Sequence, residues 1–157
     1  MDKELKIVLT AIGLAIVVAY ASGSGFWVNS GNDWYQALKK PSFQPPDWVF
    51  GTMWTYNFAI LGIVIIYIVQ RLIQVQVVTF LVFFVLSVAS ALFWSYVFYS
   101  RHDLITSTLF LGLAAVLTIP LVILSFRASK VLGFLILPYQ TWLIVATTLS
   151  IGYAINN

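Results

Sequence analysis

The 157 residues carry a formal net charge of only +3, are 61% hydrophobic and hold charge at just 8% of positions, against about 25% in a soluble domain. That composition excludes an ordinary soluble fold and marks one compact membrane domain. Eight Lys/Arg against five Asp/Glu, scattered over the segment ends, form no basic stripe for a phosphate backbone, which excludes nucleic acid as a partner; the lack of cysteine excludes disulfides, thiol catalysis and thiolate metal sites.

Charged residues divide the chain into five charge-free stretches, Ile7–Asn32, Trp48–Gln70, Leu72–Ser100, Leu104–Phe126 and Val131–Asn157. Each is long enough for a spanning helix of about 20 residues. Lipid offers the backbone no hydrogen-bond partner, so a span is a helix or part of a closed barrel. Barrel strands run about 10 residues with alternating polarity, whereas these stretches are longer and continuously apolar. The predicted fold class is an all-α integral membrane protein, a five transmembrane helix bundle in a single domain over 1–157.

Helix 1 is expected over 5–21, where Ser22-Gly23-Ser24-Gly25 frees the backbone. Lys3 and Lys6 before an apolar core, with Ala19-Tyr20-Ala21 after it, also fit a signal peptide; the retained reading is an uncleaved helix. A lid loop over 22–46 follows, holding Pro41, Pro45 and Pro46, which forbid a continuous helix. Within it Trp34 to Leu38 can form a short helical turn. Helix 2 spans 47–70, opened by Pro46 and Asp47. Helices 3, 4 and 5 span 74–99, 104–126 and 131–155. Their short connections predict antiparallel neighbours, and Pro120 and Pro138 predict kinks. Lys3, Lys6, Arg71, Arg127 and Lys130 fall on the N-terminal side and Lys39, Lys40 and Arg101 on the other, so the positive-inside rule favours a cytoplasmic N-terminus.

No ionisable side chain lies mid-span, which argues against a proton-coupled pump. The sole histidine, His102, sits between Arg101 and Asp103 and reads as a solvated loop residue; no metal site is expected. The chemistry left is aromatic: six Trp, eight Tyr and twelve Phe. Trp27, Trp34 and Trp48 stand near span ends, as an interfacial belt requires. Trp54, Trp94 and Trp142 lie deeper. Trp142, Ala146 and Ser150 share a helical face, as do Ser87, Ala91 and Ser95 beside Trp94, while Trp54, Asn57 and Phe58 cluster on helix 2. Small residues on a face suit close helix packing. They equally suit the floor of an aromatic-walled cavity for a flat apolar ligand, and spacing leaves both readings open.

The stretch WYQALKKPSFQPPDWVFGTMWT, Trp34 to Thr55, resembles the lid signature of the TspO/MBR family of tryptophan-rich sensory and translocator proteins. Pro138-Tyr139-Gln140-Thr141-Trp142 followed by Ala146 resembles its helix 5 motif. The resemblance implies a five-helix bundle, usually a homodimer in a bacterial cell membrane. It implies a pocket toward the lid that binds protoporphyrin IX, heme-like tetrapyrroles or sterol-like ligands, with no cofactor required. Some bacterial members are credited with light- and oxygen-dependent porphyrin breakdown, which would make Trp54 and Trp142 photochemical residues. By motif, Tyr35, Trp54, Trp142 and Ala146 are expected to line the pocket; helical spacing and neighbourhood add Asn57, Ser87, Ala91, Trp94, Tyr139 and Ser150.

Ala91 and Ser150 stand where the family commonly has asparagine, so polar handles are lost or shortened and ligand preference is expected to differ. Tyr153 lacks the following Lys or Arg of the proposed cholesterol motif, and the loose matches at Val64–Arg71 and Val97–Arg101 carry no weight. The expected function is that of a membrane receptor or scavenger for porphyrin-like ligands. Photochemical degradation and facilitated transport are the alternatives.

Overall fold

A computed structural model describes residues 1–157 and is helical almost throughout. The helices are α1 (Lys3–Ser30), α2 (Asn32–Ala37), α3 (Asp47–Arg71), α4 (Gln74–Arg101), α5 (Leu104–Leu117), α6 (Ile119–Ala128) and α7 (Lys130–Asn156). Five spans long and apolar enough to cross a membrane result: α1, α3, α4, the α5–α6 pair and α7.

Caps follow the local sequence. Asp2 Oδ1 accepts from the Leu5 N–H at 2.7 Å and Asp103 Oδ1 from the Thr106 N–H at 3.0 Å, each satisfying an orphan donor of a first turn. The Thr106 N–H holds the Asp103 carboxyl below the usual carboxylate range. His102 closes α4 in the left-handed region, at φ 58°.

Helix 1 departs from expectation. It does not stop at residue 21 but continues to Ser30, so the loop predicted over 22–46 shrinks to 31–46. The serine and glycine run stays helical because a break inside lipid would strand backbone groups. It also packs: a Cβ on Gly23 would stand 2.8 Å from Leu92 Cδ2, so glycine lets α1 approach α4.

Span 4 breaks as Pro120 requires, with α5 ending at Leu117 and α6 starting at Ile119. Gln140 of α7 reaches into the break and donates to the Ala115 carbonyl at 2.9 Å, with its side-chain oxygen on the Thr118 hydroxyl. Pro138 leaves α7 continuous. Beside it, the Tyr56 hydroxyl donates to the Leu135 carbonyl at 2.9 Å and ties α7 to α3.

The spans close a ring in the order α1, α3, α7, α5–α6, α4. The short connections expected to make neighbours of helices 3, 4 and 5 do so, while α3 and α4 are joined only through Leu72-Ile73. They touch little, because α1 lies between them, antiparallel to α3 and parallel to α4. The centre is filled by side chains including Tyr20, Leu61, Val64, Phe80, Phe84, Leu111, Ile136 and Leu143, all essentially without exposure. In lipid such packing stabilises through van der Waals contact rather than water exclusion.

Candidate functional site: an aromatic cavity under the lid

The ring does not close tightly at its lid end. A cavity of about 440 Å³ opens there, within the range of small-molecule sites. Its walls come from α1 (Ala21, Ser24, Gly25, Val28), α3 (Asp47, Phe50, Trp54, Phe58), α4 (Trp94, Phe98, Tyr99) and α7 (Trp142, Ala146, Leu149, Ser150, Tyr153), with Tyr35 and Gln36 of the lid above. The α5–α6 span contributes no wall.

Trp54 and Phe58, one helical turn apart, stack at 5.5 Å, and Tyr20 of α1 meets both edge-on at 5.7 and 5.3 Å. Trp142 meets Phe50 edge-on at 5.3 Å. Trp94 lies 5.8 Å from Phe98 and 6.2 Å from Tyr99. These contacts hold the rings as flat, apolar walls. Ser150, near the lid end of α7, is tied to the Thr108 hydroxyl at 2.7 Å.

The lid is latched at several points. Tyr153 Oη donates to Gln44 Oε1 and is hydrogen-bonded to Tyr35 Oη at 3.1 Å, while Gln44 Nε2 donates to Tyr35 Oη at 3.3 Å. The Lys39 N–H donates to Asn157 Oδ1 at 2.9 Å, and Asn157 Nδ2 donates back to the Lys39 carbonyl at 3.3 Å. Trp34 stacks on His102 with centroids 4.1 Å apart and planes at 12°. His102 is an exposed connection residue, as expected, and is also a platform for the lid, while Trp34 anchors the lid as well as standing near a span end. Trp48, 71% exposed, is free to serve an interfacial belt.

Pro41 seats against Gly152, where an added Cβ would stand 2.7 Å from Pro41 Cγ and 3.2 Å from Phe43 Cζ. Gly152→Val is expected to lift the lid. Amide exchange over 31–46 should then accelerate, at a cost of about 1–3 kcal/mol for overpacking. Unchanged lid protection would show that Pro41 does not seat there.

Of the ten residues singled out from sequence, Tyr35, Trp54, Trp94, Trp142, Ala146 and Ser150 line the cavity. Asn57, Ser87, Ala91 and Tyr139 do not, and the expectation that they would is corrected. They are buried in the packed part of the bundle. Asn57 follows Trp54 by three residues and turns away from the arc that Trp54 and Phe58 share. Ser87 donates to the Ala114 carbonyl at 3.1 Å, joining α4 to span 4, and Ala91 belongs to the core cluster. The Tyr139 hydroxyl lies beside those of Tyr20 and Ser87, although it makes no hydrogen bond of good geometry.

Sequence reading set helix 1 beside the pocket with helices 2, 3 and 5 but named none of its wall residues, three of which lie beyond the end expected for that helix. It also passed over Phe98, four residues after Trp94, and Tyr153, three after Ser150, whose spacings place them on the selected faces.

A profile of the TspO/MBR family aligns with residues 8–155. The chain belongs to the TspO/MBR family. It is similar to the tryptophan-rich protein TspO of Bacillus cereus, with 31% identity over 90% of this chain and 96% of that protein. The tryptophan-rich protein TspO of Chlorobaculum tepidum is 27% identical over 96% and 95%, respectively. Human translocator protein is 28% identical over 82% of this chain and 77% of its own length. Five apolar spans and this membership make the chain a multi-pass integral membrane protein of the TspO/MBR type.

Proposed function

We propose that this TspO/MBR protein is a membrane receptor or scavenger that holds a flat porphyrin-like ligand, of the protoporphyrin IX class, in the cavity under the lid. The observation that carries the reading is the cavity wall itself: Trp54, Trp94 and Trp142 converge on one apolar space from three different spans. Broad indole faces suit a planar conjugated body, and the cavity is walled by membrane-spanning helices, among which such an apolar molecule partitions. No general acid or base is needed for binding.

The test is a titration of the purified protein with protoporphyrin IX in the dark, following tryptophan fluorescence. Saturable quenching is expected, with an affinity several-fold weaker for Trp54→Phe, since the phenyl ring covers less of the macrocycle and aromatic contacts are worth about 1 kcal/mol. Equal binding by parent and variant would place the site elsewhere.

A second reading, photochemical breakdown of the bound pigment, is favoured by the indoles at the cavity wall, which an excited macrocycle could oxidise. It predicts a light- and oxygen-dependent product absent from pigment in empty micelles. The homodimer and the cytoplasmic N-terminus belong to the same proposal, to be checked by mass in detergent and by labelling of lid lysines from either side of the membrane.

A further inference from the structure

The cavity is poorly equipped to take a charged group into its depth. Its Ser150 hydroxyl is engaged by Thr108, and the Tyr35 and Tyr153 hydroxyls by each other and Gln44; the indole N–H groups of Trp94 and Trp142 have no protein partner but carry no charge. The single charged residue in its wall is Asp47, an acid. An ionised carboxylate pushed among the indoles would be desolvated without a counter-charge, which is strongly unfavourable. An acidic ligand must therefore keep its acid edge at the mouth and send its apolar body inward.

The cations available at the mouth are few. Lys3, Lys6, Arg71, Arg127 and Lys130 stand at the other end of the bundle, at the start of α1, the end of α3 and the α6–α7 turn. On the lid side are Lys39, Lys40 and Arg101. Lys40 is the one set against the cavity: its Nζ lies 3.9 Å from Asp47 Oδ1 and 5.7 Å from the centroid of the Tyr35 ring, and both residues line the wall. The ion pair is loose and wet, with side chains 36% and 72% exposed, so exchanging its partner costs little. Asp47 also has a separate favourable place in the first turn of α3.

We propose that Lys40 recognises a carboxylate on the ligand at the cavity mouth, and that Asp47 competes with the ligand for it. This inference rests on the porphyrin-receptor reading and narrows it. The preferred class is a flat amphipathic acid, its carboxylate edge under the lid and its ring system against Trp54 and Trp142, rather than a neutral sterol.

The experiment compares protoporphyrin IX with its dimethyl ester, which keeps the ring and removes the charge, on the full chain in neutral detergent. Lys40→Gln is expected to weaken binding of the free acid about three-fold, the scale of a partly exposed ion pair, and to leave the ester unchanged. Asp47→Asn is expected to strengthen binding of the free acid, because it removes the competitor. Lys40→Arg should retain the preference and Lys39→Gln should alter neither pigment. Added salt should erode the difference between the two pigments in the parent. Equal losses for acid and ester in Lys40→Gln would reveal a merely structural role in the lid and overturn the inference. So would binding of both pigments with no response to Lys40 or Asp47. Binding of neither pigment by the parent would overturn the receptor reading, and this inference with it.

Discussion

Replacing Trp142 with alanine is expected to weaken protoporphyrin IX binding by about thirty-fold, roughly 2 kcal/mol, the scale of a buried aromatic anchor. The residue is 5% exposed and meets Phe50 edge-on. It walls the inner cavity and also a shallow groove of about 380 Å³ on the far side, where Met53, Leu137 and Pro138 stand. Truncation would remove stacking area and also breach the partition between the two spaces. Trp142→Phe should fall between alanine and parent, because it keeps an aromatic face. It also removes the indole N–H, which has no protein partner and is free to donate to a ligand after a small side-chain adjustment. Quenching titrations of the two variants separate these contributions. An alanine variant that bound like the parent would remove Trp142 from the site.

Asn57→Leu is expected to stabilise the bundle by about 2 kcal/mol. The Asn57 side chain is fully buried on a membrane-spanning helix, and neither its amide nitrogen nor its amide oxygen has a protein hydrogen-bond partner. Leucine has a similar size and carries no polar atom to desolvate. Because Asn57 lies outside the cavity wall, ligand affinity should barely change. Unfolding in mixed micelles gives the stability, and the same titration gives the affinity. A destabilised Asn57→Leu would show instead that the amide is satisfied by a buried water.

The two sites also show how far linear spacing reaches. Trp54 and Asn57 are three residues apart, and both belonged to a plausible polar-aromatic cluster. Positions three apart differ by about 60° around a helix axis, which is enough to put one in a cavity wall and the other in the packed core. Spacing shows which residues share a sector. It does not show where a cavity stops, because that depends on the helices standing opposite. Trp142, Ala146 and Ser150 were legible because each four-residue step turns only about 40° around the helix, and the opposing helices leave that whole sector open to the cavity. Tyr153 was examined only for a cholesterol motif that it fails. Its role in latching Tyr35 and Gln44 depends on partners more than a hundred residues earlier in the chain.

By itself, the amino-acid order determined the membrane setting, the five spans, the break at Pro120 and the non-helical lid around Pro41, Pro45 and Pro46. These follow from local physics: apolar length, lipid that leaves backbone groups to satisfy one another, and a ring that removes a donor. Tertiary structure decided that α1 runs on to Ser30, that it lies between α3 and α4, and that the cavity occupies only the lid end of the ring. Those outcomes depend on small residues of one helix meeting large residues of another, Gly23 on Leu92 and Gly152 on Pro41. The space between helices belongs to no single helix, so only their assembly defines it.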